Sequence, residues 1–409
     1  MPSSLSWIDY DSEAQQRAQR ILTLFKERDT RDELGFGPIR DAISDSLFPG
    51  TSVLHTRLRY LLFVPWMYRS LEERRVSSSK IREYGRWEQL YLAKKLKENT
   101  SGELGIIGGE VGDKLKTLPS AMYWAGLGRW GLRVYPGTEG QYQHAIDEIY
   151  RRRKKIKASL TSAAEDGDDV GGLWEIGAHT YHPGLPPVPE GFPDDVTFKL
   201  THEEARYLQE RIRQSCPGSL LADLLARPAV ADVEAPWEHP NLASFRPEQR
   251  ELLRHAQMFS TITHGASVLY CLMLAEILAS DELVETHRAS AEDWIDKISA
   301  EMTEISSWGN DLPAFWLSVQ DRGHEIGPRT MAFVEQWIAA LLEDPQGIFD
   351  SKGARRLIRD REIEKKKANS RFTNARVRDQ WRGSSGLRPM VYRWQVILNY
   401  VNDMAAAFH

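Results

Sequence analysis

Apolar residues recur at intervals of three and four along most of this chain, and prolines and glycines separate the segments that show this spacing. Such residues fall on one face of an α-helix, whereas a half-buried strand alternates polar and apolar side chains. Segments 11–28, 80–98 and 140–158 follow the helical pattern, and a long apolar set runs from Pro247 to Ala279. We therefore predict a mainly α, multi-helical protein.

Local signals place the ends of several helices. Thr201 and Glu204 have the spacing of a capping box, so a helix is predicted from there to about Ser215. Residues 52–73 are dense in apolar side chains, which predicts a buried helix with a kink at Pro65. Gly265 is predicted to interrupt the long helix that starts at Pro247. Further helices are predicted at residues 39–47, 219–226, 291–307, 311–320, 328–342 and 391–404.

The chain has 409 residues, which is too long for one ordinary domain. Residues 159–172 are small, acidic and glycine-containing, and prolines and glycines cluster between Pro183 and Pro193. Composition of this kind is typical of a domain boundary. We predict an N-terminal helical domain over residues 1–158, a linker and loop over 159–197, and a C-terminal helical domain over 198–409.

Residues 105–135 resemble a small DNA-binding arrangement. A short helix, a turn at Pro119-Ser120 and a second helix capped by Ser120 are the parts of a helix-turn-helix. Residues 132–135 could add a strand, which would give a winged-helix-like element. Three glycines in the second helix make it a poor recognition helix, so no base-reading residue is predicted.

The uneven distribution of charge is the strongest functional signal. Residues 352–393 hold fourteen basic and four acidic residues, a net charge of +10. Because the whole chain carries −5, the remainder carries −15. A concentrated basic surface attracts polyanions, and each neutralised phosphate releases a condensed counterion. A second basic run lies at residues 151–157.

We predict that this segment binds the DNA backbone without sequence specificity, with an aromatic side chain available to stack on bases. Other interpretations remain open: a solvated helix face, a surface for an acidic protein, or pairing with acids of the same chain, such as residues 165–169. The predicted nucleic-acid-binding residues are Arg355, Arg356, Arg359, Lys365, Lys366, Lys367, Arg371, Arg376, Arg378, Arg382, Arg388, Arg393 and Trp381.

No strong catalytic motif is present, so the sequence predicts no cofactor and favours a non-catalytic protein. His179 and His182, three residues apart, have no convincing third ligand for a metal ion. The nucleophile elbow and the phosphate-binding loop are absent. Asp113-Lys114 and Asp296-Lys297 leave open a metal-dependent nuclease whose acids are scattered along the chain.

Two features bear on location. Cys216 and Cys271 are too few for a disulfide scaffold, and Cys271 lies in an apolar helix, where a buried thiol is expected. No apolar run reaches 18 residues, and the N-terminus lacks the pattern of a signal peptide. We predict a cytoplasmic protein with no membrane contact.

Six short motifs are distinctive: Ser4-Leu5-Ser6-Trp7-Ile8-Asp9, Thr30-Arg31-Asp32-Glu33-Leu34-Gly35, Pro38-Ile39-Arg40-Asp41, Phe48-Pro49-Gly50-Thr51-Ser52, Pro119-Ser120 with Tyr123-Trp124, and Tyr392-Arg393-Trp394. Together they resemble an uncharacterised bacterial family, and the resemblance covers most of this chain. That family is similar to accessory proteins of anti-phage defence loci, which also encode helicases, methylases and nucleases. The resemblance implies protein partners of those kinds, and it implies no reaction.

Three functions follow as hypotheses. The first is a non-catalytic DNA-binding subunit of an anti-phage defence system that works with a helicase or nuclease. The second is an interaction or scaffold subunit that docks an acidic partner. The third is the metal-dependent nuclease.

Overall fold

The computed structural model of the protein describes residues 32–100, 103–165, 179–320, 324–383 and 388–408, with the backbone alone for residues 159–165. Within these residues the fold is mainly α and contains no strand, so the predicted fold class is confirmed. The predicted helix at residues 11–28 and the motif at residues 4–9 lie outside the described residues.

The helices of the described residues are numbered in chain order. They are α1 (Gly37–Leu47), α2 (Tyr60–Glu73), α3 (Ile81–Asn99), α4 (Pro119–Arg129), α5 (Glu139–Glu165), α6 (His202–Ser215), α7 (Leu220–Ala226), α8 (Pro247–Ile277), α9 (Asp281–Gly309), α10 (Leu312–Gln320), α11 (Pro328–Glu343), α12 (Lys352–Lys366), α13 (Ala375–Arg378) and α14 (Trp394–Phe408).

The chain forms two compact units. The first unit contains the described residues up to Ile43 together with Glu251–Tyr392, and the second contains Ser44–Arg250 together with the described residues from Arg393 onward. This division follows spatial contacts and differs from the division at residues 159–197 that composition suggests. The C-terminal helix α14 packs on α6 and α7 of the second unit.

Helix α8 organises the core of the first unit. Two tryptophans donate hydrogen bonds to backbone carbonyl oxygens of α8. The indole N–H of Trp294 donates to Thr261 at 2.8 Å, and the indole N–H of Trp337 donates to Ile262 at 3.0 Å. The predicted interruption at Gly265 is wrong, because α8 continues through this residue. A Cβ atom there would lie 2.2 Å from the Trp294 ring, so the glycine admits the indole against the helix.

By length and composition, α8 is also the one helix of the described residues that could cross a membrane, but 89% of its most apolar stretch is buried inside the protein. Burial of that kind is typical of a core helix. The predicted burial of Cys271, which lies on α8, is confirmed, and desolvation raises the pKa of its thiol to about 12.

In the second unit, the predicted helix over residues 52–73 begins only at Tyr60. The earlier start was wrong because side chains distant in sequence accept the N–H groups that precede the helix. The Tyr123 hydroxyl accepts from the N–H of Thr56 at 2.8 Å, and the Asp403 carboxylate accepts from that of Leu58 at 2.8 Å. These bonds satisfy the backbone without a helical turn.

The capping box at the start of α6 is confirmed. The Thr201 hydroxyl accepts from the backbone N–H of Glu204 at 3.2 Å, and the Glu204 carboxylate accepts from that of Thr201 at 3.0 Å. Glu204 also binds the guanidinium of Arg59 at 2.8 Å, which ties the start of α6 to the segment before α2.

Candidate nucleic-acid interface

The basic segment predicted from sequence folds as helix α12, a tight turn and the short helix α13. Ser351 begins α12, with its hydroxyl accepting from the N–H of Ala354 at 3.3 Å. Asn374 begins α13 by accepting from the N–H of Val377, and its amide donates to the carbonyl oxygen of Ala368 at 2.9 Å. The Asn374 side chain therefore fixes the turn between the two helices.

Two buried carboxylates hold this turn. Glu362 is fully buried and accepts from the Ser370 hydroxyl at 2.5 Å and the N–H of Arg371 at 2.8 Å. Desolvation raises the pKa of Glu362. Glu33 binds the guanidinium of Arg371 at 2.5 Å and the ammonium of Lys366 at 3.2 Å. Arg371 and Lys366 are therefore engaged with an acid of the same unit.

Other predicted binding residues also have internal partners. Arg355 makes a bidentate pair with Glu276 at 2.6 and 2.8 Å, and Arg378 donates to the carbonyl oxygen of Arg371 at 2.9 Å. Trp381 is 8% exposed, which leaves little of its ring surface for stacking on a base.

Arg393 belongs to the second unit, whereas the rest of the basic segment belongs to the first. Its guanidinium binds the Asp45 carboxylate at 2.6 Å and the carbonyl oxygen of Thr51 at 2.7 Å. Arg393 therefore fixes the chain before α14.

Arg361 is buried, with 4% of its surface exposed. The remaining cations of the segment are exposed. Lys352, Arg356 and Arg359 follow one another at helical spacings of four and three, so they share one face of α12. The side chain of Arg356 is 83% exposed, and its nearest acid is Asp360 at 3.5 Å. The exposed cations are Lys352, Arg356, Arg359, Lys365, Lys367, Arg376, Arg382 and Arg388.

Against these eight exposed cations, the described part of residues 352–388 has three exposed acids, Asp360, Glu364 and Asp379. Glu364 is already paired with Arg361 at 3.1 Å and Arg329 at 3.0 Å. The surface that remains is therefore strongly positive. Long exposed side chains of this kind suit phosphate contacts, which position a protein on nucleic acid without reading its sequence.

The helix-turn-helix-like segment at residues 105–135 offers fewer features for DNA binding than the basic segment. Its first part holds only a short 3₁₀ turn, Gly112–Lys114, and the residues predicted as a strand form a single bridge from Arg133 to Tyr181. Helix α4 buries Tyr123 and Trp124, and its exposed positions are Ala121, Ala125 and Arg129. One exposed cation on α4 makes a weak contribution to backbone binding, and the winged-helix-like element stays a prediction.

No group of three or more metal-ligating side chains occurs among the residues that the structure describes. Asp113 lies in the 3₁₀ turn and Asp296 on α9, and both are exposed. The nuclease hypothesis gains no support from their placement.

The sequence did not identify a cavity in the second unit. Its volume is about 450 Å³, and its walls come from the end of α2, from α5 and from residues 179–183. The available signals were the basic run at residues 151–157 and the pair His179 and His182, because part of the run and both histidines line the cavity. The opposite wall could not be found without knowing which helix α5 packs beside.

These observations define a class: a mainly α protein of two compact units with a solvated basic helical segment. Within it, the chain belongs to a family described as a family of unknown function, DUF6361, whose sequence model matches residues 2–161 and 172–408. The predicted membership of an uncharacterised family is thereby confirmed. No curated protein and no solved structure matches the chain.

Proposed function

We propose that this protein binds the phosphate backbone of DNA and acts as a non-catalytic subunit of an anti-phage defence assembly. The observation that carries the DNA-binding part is the excess of exposed cations in residues 352–388, eight against three exposed acids. Glu33, Glu276 and Asp45 already pair with four other cations of the segment, so the exposed excess is the charge available to a polyanion.

The face of α12 that bears Lys352, Arg356 and Arg359 is the part of this surface best defined by geometry. Residues at these spacings lie on one side of a helix, about one turn apart, which lets successive side chains reach one strand of backbone. Each phosphate contact makes the logarithm of affinity fall by about 0.9 per unit of log salt concentration on duplex DNA.

The test is a salt titration of binding to a fluorescent duplex with the variant K352E/R356E/R359E. We expect at least tenfold weaker binding at moderate salt and a salt slope smaller by about three. The variant keeps the fold because all three side chains are exposed and Lys352 lies in the first turn of α12, where an acid is favourable. Lys366 is left unchanged, because a glutamate there would face Glu33.

The matched control is K80E/K116E/K199E, which changes the net charge equally at three exposed lysines of the second unit. Its affinity is expected to stay within twofold of the unmodified protein. Equal weakening by both variants, or affinity that does not fall with salt, would contradict binding through α12. Absence of DNA retention at low salt, together with loss of a copurifying acidic protein from the α12 variant, would favour the scaffold function.

The defence role rests on the sequence resemblance and has its own test. Phage plating efficiency is measured on cells that carry the native locus with either the unmodified gene or the α12 variant. Protection that needs the exposed cations supports the proposal, and full protection by a variant that no longer binds DNA contradicts it.

A further inference from the structure

We propose that the cavity in the second unit binds a nucleotide that carries two or three phosphates. This proposal is independent of DNA binding by the basic segment. It rests on the charge, shape and size of a cavity whose residues all belong to one unit.

One face of α5 forms the first wall of the cavity. Tyr150, Arg153, Lys154 and Lys157 are spaced by three, one and three residues, so all four lie on the same side of the helix. The opposite wall holds Arg69, near the end of α2, and Glu72, Glu73 and Arg75 after it. The two helices therefore bring together cations that are about eighty residues apart in the sequence.

Arginine and lysine side chains outnumber carboxylates in the lining by five to two. The cations are Arg69, Arg75, Arg153, Lys154 and Lys157, and the acids are Glu72 and Glu73. An excess of three positive charges matches a ligand with two or three phosphates better than a single carboxylate or a neutral sugar, because the terminal phosphate alone carries about −1.5 to −2 and each inner phosphate adds negative charge.

Glu72 is a scaffold of the cavity and does not cancel the excess. Its buried carboxylate accepts from the Tyr142 hydroxyl at 2.5 Å, the Thr180 hydroxyl at 2.6 Å and the Arg153 guanidinium at 2.8 Å. These bonds connect α2, α5 and the segment after residue 179. Arg153 is thereby held in a fixed orientation at the cavity wall.

The shape and the remaining lining favour a small ligand with a ring. A volume of about 450 Å³ lies within the range of cavities for small molecules, roughly 300–1,000 Å³. The half-buried Tyr150 adds aromatic surface for a base, and arginine forks suit the oxygens of phosphate groups. The Tyr150 hydroxyl donates to the carbonyl oxygen of Val76 at 3.1 Å, which fixes the position of its ring.

The test measures binding of ATP to the full chain by calorimetry and by thermal unfolding, without divalent cations, with adenosine as the uncharged probe. ATP is expected to bind and to raise Tm, whereas adenosine binds at least tenfold more weakly. K154E and R75N should each weaken ATP binding at least tenfold. Asparagine is chosen at Arg75 because this residue has a φ of 52°, a left-handed conformation that asparagine tolerates.

The matched control is R152E, an exposed position on the same helix that does not line the cavity, and it should bind ATP within twofold of the unmodified protein. Absence of ATP binding, equal weakening by R152E and K154E, or equal binding of adenosine would overturn the proposal. The proposal would also be overturned if a 5′-phosphorylated oligonucleotide bound to the protein, lost its binding in K154E, and ATP did not bind at all. The K352E/R356E/R359E variant should keep ATP binding. Failure of the nucleotide proposal is therefore distinguishable from failure of the DNA proposal.

Discussion

Protonation of His55 should destabilise the second unit as the pH falls. The ring is buried, and it stacks on Tyr123 with ring centroids 4.1 Å apart. Its Nε2 lies 3.0 Å from the carbonyl oxygen of Met122, which can only accept, so Nε2 carries the proton. Nδ1 of the neutral ring then accepts from the Tyr400 hydroxyl at 2.9 Å.

Burial disfavours the charged ring and lowers the pKa of His55 from 6.5 to about 4. Above pH 6.5 both folded and unfolded states hold the neutral ring, so this contribution to stability is complete. Between pH 6.5 and 4 the unfolded chain takes up a proton that the folded protein resists, and the free energy of unfolding falls. At about 1.4 kcal/mol for each pH unit, the loss approaches about 3 kcal/mol at pH 4.

The assay compares urea unfolding of the unmodified protein and His55→Gln at several pH values between 7 and 4. The variant should be less stable at pH 7, and the gap should narrow by about 3 kcal/mol as the pH falls to 4. Other histidines contribute equally to both proteins, so their titration cancels in the difference. His144→Gln, at an exposed histidine, serves as the control and should follow the unmodified profile. A gap that stays constant with pH would refute the reasoning.

Two further substitutions test the packing of each unit. Glu33→Gln should lower the free energy of unfolding by about 3 kcal/mol, because it leaves Arg371 and Lys366 largely buried beside an uncharged partner. Denaturant unfolding measures this, and a loss below 1 kcal/mol would show that water already solvates the pair. Thr201→Ala should cost about 1 kcal/mol by removing a hydroxyl that accepts from Glu204. Unchanged Tm in Thr201→Ala would mean that the Glu204 half of the box suffices.

Helix positions were predictable where the signal is local. The capping box at Thr201 and the proline that opens α11 at Pro328 fix helix starts within a few residues, so no distant contact is needed to place them. The start of α2 was not predictable, because the groups that hold residues 56–58 in a loop come from Tyr123 and Asp403. Hydrophobic density cannot reveal acceptors that lie 67 and 345 residues further along the chain.

The same distinction applies to the candidate interface. The sequence identified the basic segment, since charge counts need no structure. It could not separate exposed cations from internal ones, because the partners of Arg355 and Arg371 are Glu276 and Glu33, far away in sequence. Burial of Trp381 was likewise invisible, because an aromatic residue among charges has the same pattern whether it packs inward or faces solvent.

This separation sets a limit on the DNA titration proposed above. If every one of the fourteen cations of residues 352–393 met a phosphate, the salt slope would approach about −13, whereas the eight exposed cations allow at most about −7. Lys366, Arg371, Arg355 and Arg393 could add to this slope only by leaving Glu33, Glu276 or Asp45, and those carboxylates would then lie unpaired near the negative backbone. A slope steeper than about −7 in the unmodified protein would therefore require either a rearranged basic segment or phosphate contacts from outside it.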